Sequence, residues 1–211
     1  MPYGFLDTLT GPSVEAAQAD NGVRAQWERF SGDRTFDAFT EAEAQFIGER
    51  DSLYQATVSE TGWPYVQHRG GPAGFVKVLD ERTLALPDFR GNRQYISLGN
   101  LRADDRASLI MVDYPNQRRL KILGHLRARS LADDPALAER LALPGYAGRP
   151  ERALVLTLHA FDWNCPQHIT PRFTQGEIAQ ALAPTMGRLK ALEAENADLR
   201  QRLATLHGDP E

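Results

Sequence analysis

Hydrophobic and polar positions change their spacing along the chain, and each change marks a different kind of element. The opening 35 residues, "MPYGFLDTLTGPSVEAAQADNGVRAQWERFSGDRT", keep no sustained period and read as an arm with at most a short helix around Val14 to Phe30. From Thr40, "TEAEAQFIGER" begins with Thr-x-x-Glu, so the Thr40 hydroxyl and the Glu43 carboxylate can cap each other's free amides; the spacing predicts a helix ending near Gly48. Short β-rich runs follow: "LYQATVS", "PYVQHR", "GFVKVLD", "TLALPD", "ASLIMVD" and "RLKILGHLRARS", separated by the turn signals "ETGWP", "RGGPAG", "DERT" and "YPNQR". Strands at hairpin spacing imply an antiparallel sheet that closes on itself or packs against helices. "ALVLTLHAFDW" supplies a late strand that pairs back into it.

Helical spacing returns in two places between the strands. In "NRQYISLGNLRADD", Tyr95, Ile96, Leu98 and Leu101 are spaced for a helix. In "DPALAERLALPG", Asp134 can cap, Pro135 takes the first helical position and Gly145 lies beyond the end. From Thr174, "TQGE" repeats the capping-box spacing and Pro184 is expected to interrupt or bend the helix. "RLKALEAENADLRQRLATL" then runs in heptads, with Leu189, Asn196 and Leu203 at a and Leu192, Leu199 and Leu206 at d. A single Asn at a selects a two-stranded parallel register, and Arg188 and Glu195 at g would face Glu193 and Arg200 at e of a partner helix with opposite signs. The alternative is an amphipathic helix lying on its own domain.

Composition narrows the functional classes. At 211 residues the chain can bury a core without staples, and its single Cys165 cannot form a disulfide within the chain. No apolar stretch approaches the roughly 18 residues needed to span a bilayer, and a cytoplasmic location is the expectation. A net charge of -4 argues against general nucleic-acid affinity, which needs a clustered basic surface.

Three polar groupings interrupt the strands. In "QHRGGP", His68 and Arg69 end a strand, and Gly70-Gly71 allow a ligand to approach the backbone. In "DFRGNRQYISLGN", running from Asp88, the residues Arg90, Asn92 and Arg93 stand at the mouth of a helix, with Ser97 one turn further in. Such a turn concentrates guanidinium and backbone donors where a phosphate can bind. In "RRLKI", period-2 alternation puts Arg119 and Lys121 on the face opposite Leu120 and Ile122. Exposed Arg and Lys on a strand usually form a solvated face; basic groups at strand ends around a Gly-rich turn, in an acidic protein, are more particular.

The segment "FIGERDSLYQATVSETGWPYVQHRGGPAGFVKVLDERTLALPDFRGNRQYISLGNLRADDRASLIMVDYPNQRRLKILGHLRA" resembles the pyridoxamine 5'-phosphate oxidase-like family of FMN-binding split β-barrels. It is most similar to the branch of flavin-nucleotide-binding proteins that also carry a "FDWNCPQHITPRF"-like segment. The resemblance covers roughly residues 36–175, through "WPYVQHRGGP", "DFRGNRQYIS" and "NCPQHITPRF". It implies a mainly β fold, an antiparallel split β-barrel with helices, divided here into an N-terminal arm (1–35), an FMN-binding barrel (36–175) and a C-terminal helical or coiled-coil extension (176–211). It also implies a homodimer with FMN at the interface. The cofactor set on that resemblance is His68, Arg69, Gly70, Asp88, Asn92, Arg93, Ser97, Arg119 and Lys121. Arg69, Asn92, Arg93 and Ser97 would hold the phosphate or ribityl chain, and Arg119 and Lys121 would reach the flavin, commonly from the neighbouring subunit. On the substrate side the sequence departs from the vitamin B6 oxidase, since "WNCPQHITPRF" and a long helix stand where that enzyme holds its substrate phosphate. Trp163, His168 and Arg172 are the candidates there for an anionic substrate.

The activity implied is an FMN-dependent oxidoreductase transferring hydride to or from an unidentified small substrate. The rival readings are a flavin- or haem-binding carrier, sensor or storage protein without turnover, a deazaflavin-dependent reductase on the same fold, and an interaction protein working through its C-terminal helix. Cys165 and His168 lack a second ligand pair for zinc, so no metal is expected. His159 reads as structural, and Asp104-Asp105 and Asp133-Asp134 as solvated caps.

Overall fold

The computed structural model describes residues 4–28, 36–163 and 167–207. It divides into two units, Met1–Ile169 and Thr170–Glu211. Cys165 with its neighbours Asn164 and Pro166, Phe30, and the expected boundary between residues 35 and 36 lie outside the described residues.

The first unit opens with three short helices, α1 (Gly4–Leu9), α2 (Pro12–Asp20) and α3 (Arg24–Glu28), where the sequence predicts at most one. The missing period has a physical cause: α2 and α3 bury no residue, so no apolar face marks them in the sequence. Pro12 starts α2 and Gly22, at φ +70°, follows its end. Arg24 of α3 ties it to α2 through Glu15 at 2.7 Å and pairs along α3 with Glu28 at 3.1 Å. Phe5 of α1 is buried, with the Lys121 ammonium 4.6 Å from its ring centroid.

Helix α4 (Glu41–Gly48) begins at the predicted cap: the Thr40 hydroxyl accepts from the Ala42 amide at 3.2 Å, and Glu43 accepts from the Thr40 amide at 2.9 Å. It buries Phe46 and Ile47. Then come β1 (Ser52–Val58), β2 (Pro64–Gly70), β3 (Lys77–Asp80), β4 (Thr83–Phe89), α5 (Ile96–Ala103), β5 (Arg106–Asp113), β6 (Arg118–Arg129), α6 (Pro135–Arg140) and β7 (Pro150–Trp163). They build one antiparallel seven-stranded sheet in the order β2-β1-β5-β6-β7-β4-β3. This is the mainly β, split-barrel architecture with helices expected from the sequence. The late strand β7 does pair back, joining β6 on one side and β4 on the other. Its register with β6 shifts between Leu123 and Gly124, and a Cβ on Gly124 would lie 2.4 Å from the Thr157 carbonyl oxygen, so only glycine fits that bulge.

One face of the sheet carries the core. Leu53, Leu109, Met111, Leu120 and Ile122 are fully buried in one cluster with Phe46 and Ile47 of α4 and Leu84 and Leu86 of β4. Each such side chain contributes about 1.5–3 kcal/mol relative to exposure. Phe75 and Val76 belong to that cluster although β3 begins only at Lys77. Helix α6 follows its sequence signals, with the Asp134 carboxylate accepting from the Leu137 amide at 3.0 Å. Helix α5 presents the expected face only in part: Leu101 is buried in the core cluster, but Tyr95 and Ile96 are exposed and Ser97 and Asn100 are buried instead. Hydrogen bonds as well as apolar spacing set its rotation. Ser97 donates to Gln67 at 3.1 Å and Asn100 to Thr57 at 3.0 Å.

The second unit holds α7 (Gln175–His207), a single helix of 33 residues. Its capping box forms as the spacing predicts: Glu177 accepts from the Thr174 amide at 2.7 Å and the Thr174 hydroxyl accepts from the Glu177 amide at 3.2 Å. Pro184 does not interrupt it; the helix runs through. Among the described residues no helix is long and apolar enough to cross a membrane.

Candidate functional site: a cation-lined cleft at the end of strands β2 and β4

The alternation of β2 decides which of its side chains meet. Cα pairing sets Arg69 opposite Leu53, Gln67 opposite Gln55 and Tyr65 opposite Thr57, so these share the core face. His68, Val66 and Pro64 pair with Tyr54, Ala56 and Val58 and take the other face. Arg69 therefore reaches inward at the sheet's edge, where its Nε donates to Gln55 at 3.1 Å and its terminal nitrogen bonds the Asp88 carboxylate. Asp88 is buried at the end of β4, paired in register with Arg152 of β7, whose guanidinium donates to the other carboxylate oxygen at 3.0 Å. Asp88 thus fixes two guanidiniums. Removing one partner of such a buried pair typically costs about 3–5 kcal/mol.

Past β4 the chain turns over this pair. The Asn92 side chain accepts from the Gln94 amide at 3.1 Å, and Arg93 and Tyr95 adopt left-handed backbone at φ +63° and +52°. A non-glycine residue held there costs roughly 1–2 kcal/mol. At Tyr95 the conformation is anchored: its hydroxyl donates to Glu151 at 3.1 Å and the Arg152 guanidinium lies 5.3 Å from its ring centroid. Tyr95 is also the N-cap of α5 and offers no side-chain hydrogen bond to the helix amides. The first amides of α5 consequently open toward the turn. Between the turn, α5 and β2 lies a cleft of about 170 Å³ lined by Arg69, Asp88, Asn92, Arg93 and Ser97 among others. The Arg93 side chain is exposed and, among the described residues, pairs with no carboxylate.

The remaining candidates lie elsewhere. His68 stands on the opposite face of the sheet, its ring 5.5 Å from that of Tyr54. The register carries that face from Tyr54 through Ile110 to Lys121, whose ammonium pairs with Asp162 at 2.6 Å. Arg119 is two residues before Lys121 and has a buried Nε without a hydrogen-bond partner. Gly70 ends β2 opposite Ser52, and the space a Cβ would take on Gly71 is filled by Phe75 at 2.8 Å. The glycines thus serve packing beside the cleft rather than lining it. Trp163 donates its indole N–H to Glu43 at 2.7 Å and packs edge-on against Phe46 at 4.7 Å. His168 is exposed at φ +66°, and Arg172 belongs to the second unit.

Three carboxylates outside the cleft have depressed pKa values. Burial works against the Glu43 carboxylate, but hydrogen bonds from the Thr40 hydroxyl, the Trp163 indole and the Thr40 amide outweigh it and hold the group below its ordinary value. Hydrogen bonds from Arg106 bring Asp104 to about 2, and those from His125 and Arg127 lower Asp105. Asp104 and Asp105 are occupied by these partners, and Asp134 caps α6.

Sequence reasoning passed over Gln55, Gln67, Arg152 and Glu151. Gln55 was accessible to it: in "LYQATV" the period places Gln55 on the inward face with Leu53, and a wholly buried glutamine there needs a polar partner. Arg152 gave no such signal, because its partner Asp88 is 64 residues away.

The sequence profile of pyridoxamine 5'-phosphate oxidase matches residues 39–157. A search of curated proteins gives no match. Among solved structures, the chain is similar to an FMN-binding protein from Syntrophomonas wolfei, with 14% identity, 70% of this chain and 97% of that one covered, and a TM-score of 0.47. It is also similar to a pyridoxinephosphate oxidase family protein from Clostridium acetobutylicum related to general stress protein 26 (17% identity, 64% and 92% covered, TM-score 0.42). A third is HupZ from Group A Streptococcus (13% identity, 64% and 99% covered, TM-score 0.45). With residues 39–157, more than half its length, matched, the chain belongs to the pyridoxamine 5'-phosphate oxidase family.

Proposed function

We propose that this protein is an FMN-binding oxidoreductase whose cleft between β2, β4 and α5 takes the cofactor's phosphate. The observation that carries the reading is Arg69, oriented by Gln55 and Asp88 at the cleft wall, with Arg93, Asn92 and Ser97 converging from the facing turn. The donor set fits a phosphate dianion: guanidiniums offer paired N–H groups and the first turn of α5 its amides, while the Ser97 hydroxyl, which donates to Gln67, would have to turn to reach it. The cleft's volume suits the phosphate and the start of the ribityl chain, so the flavin ring would extend outside it.

Bound FMN would supply the hydride chemistry at its ring system. The chain's own residues bind and orient. Asp88 holds Arg69 and Arg152 in fixed positions, and Arg93 adds positive charge from the solvent side. His68, Arg119 and Lys121 occupy the opposite sheet face, and in this reading Arg119 and Lys121 serve the flavin of a site completed by a second subunit. The reading therefore includes a homodimer with the barrel, roughly residues 36–175, as its functional domain, working in the cytoplasm. The small-molecule substrate is of unassigned class, with His168 and Arg172 retained as candidates for its anionic group.

The test is the absorbance spectrum of the purified protein, with mass spectrometry of what heat releases, and titration of the apoprotein with FMN and riboflavin. FMN is expected to bind at least about tenfold more tightly than riboflavin, about 1.4 kcal/mol for the phosphate, and Arg93→Gln to erase most of that margin. A colourless protein that binds neither flavin overturns the assignment.

A further inference from the structure

Helix α7 keeps its heptad beyond the stretch in which the sequence displays it. Extending the a and d positions backward from Leu189 and Leu192 places Leu182 at a, Ile178 at d and, between them and Leu189, Thr185 at d. Leu182 and Ile178 lie on the far side of Pro184. The helix is continuous across that residue, so the seam runs from Ile178 to Leu206, within a helix of about 50 Å at 1.5 Å per residue. Pro184 falls at c, and the carbonyl it deprives of a hydrogen bond, that of Gln180, falls at f. Both are outer positions, so the proline's cost is borne on the face away from the seam, where water can satisfy the carbonyl. The seam residues Ile178, Leu182, Leu189, Leu192, Leu199 and Leu203 are each between 43% and 56% exposed. A stripe of this length left in water is unfavourable by about 25 cal/mol per Å² of apolar surface.

We infer that α7 pairs in parallel with α7 of a second copy of this chain. Charge selects both occupant and direction. In a parallel homodimer, g of one helix faces the following e of its partner, which pairs Arg188 with Glu193 and Glu195 with Arg200, each twice by symmetry. Asn196, the one polar residue at a or d between Leu189 and Leu206, meets its own copy and can hydrogen-bond across the seam, which fixes two strands in register. The inference stands apart from the flavin reading: it uses no residue of the cleft.

The experiment is disulfide trapping in the full chain, with Cys165→Ser so that the introduced thiol is the only one. Leu206→Cys, at d near the helix end, is expected to form an interchain disulfide about tenfold faster than Gln201→Cys at the outward f position, since d places identical residues side by side and f holds them apart. Adding Leu192→Glu and Leu199→Glu to the Leu206→Cys chain should reduce its rate to the Gln201→Cys level. Equal rates at the two positions overturn the inference. So does a mixed disulfide between Ile178→Cys and Leu206→Cys chains that outpaces the Leu206 pair, because it means antiparallel helices. Flavin absorbance read on the same samples separates failure of the seam from failure of cofactor binding.

Discussion

Two buried carboxylates show how differently one sheet can use the same functional group. Glu43 is surrounded by neutral donors, the Thr40 amide, the Thr40 hydroxyl and the Trp163 indole, and aromatic rings close over the cluster. Asp88 is held by two guanidiniums, and its cluster opens on a cleft with a further guanidinium at the rim. The first arrangement has its donors directed inward and acts as a joint between α4 and β7. The second keeps donors directed outward beyond those its own carboxylate needs, which is what an anion site requires. Trp163, a substrate candidate by sequence, sits in the joint.

Loss of the joint should rank with the largest effects on stability. Trp163→Ala is expected to cost about 3–5 kcal/mol in urea unfolding while leaving the FMN affinity of the folded fraction unchanged; an affinity loss without destabilisation would return Trp163 to the binding site. Asp88→Asn should cost a similar amount, about 3–5 kcal/mol, because it leaves two guanidiniums without their shared carboxylate, and should weaken FMN binding by freeing Arg69 to move. Unchanged affinity in that variant would mean that Asp88 does not position the clamp. Glu43→Gln comes next and should appear mainly as an altered pH dependence. The folded pKa of Glu43 lies below its ordinary value of 4.5, so its contribution is present above that value and lost as the pH falls through the folded pKa. Wild type should therefore lose stability between about pH 5 and pH 3 more steeply than the variant, and parallel acid limbs would remove Glu43 from the account. Arg93→Gln should be nearly silent in unfolding, within about 0.5 kcal/mol, yet show the loss of FMN preference described above. Those opposite profiles are the sharpest form of the contrast.

Much of this was legible in the chain. The capping boxes at Thr40 and Thr174, the helix start at Asp134 and Pro135, and the strand runs depend on neighbouring residues, so short-range spacing suffices to find them. The turn at Asn92 and Arg93 was legible for the same reason. What could not be read depends on partners far away in sequence. Arg152 meets Asp88 only through the β4–β7 register, and Trp163 meets Glu43 only across 120 residues of chain. Helix α5 misled in part because its buried face is half polar: the apolar period found Leu101 but also pointed at Tyr95 and Ile96, which remain exposed. The N-terminal helices were invisible because they bury so little.

His68 and Arg69 are neighbours in sequence and look out from opposite sides of the sheet. That makes the β1–β2 hairpin, around Ser59 to Trp63, a selector of chemistry. One residue inserted there, with β2 slipping to keep its pairing, would exchange the faces. The His68 imidazole would enter the cleft and the Arg69 guanidinium would leave it, so the anion grip would lose its paired N–H donors. A single codon at that hairpin therefore decides which of the two side chains faces the cleft.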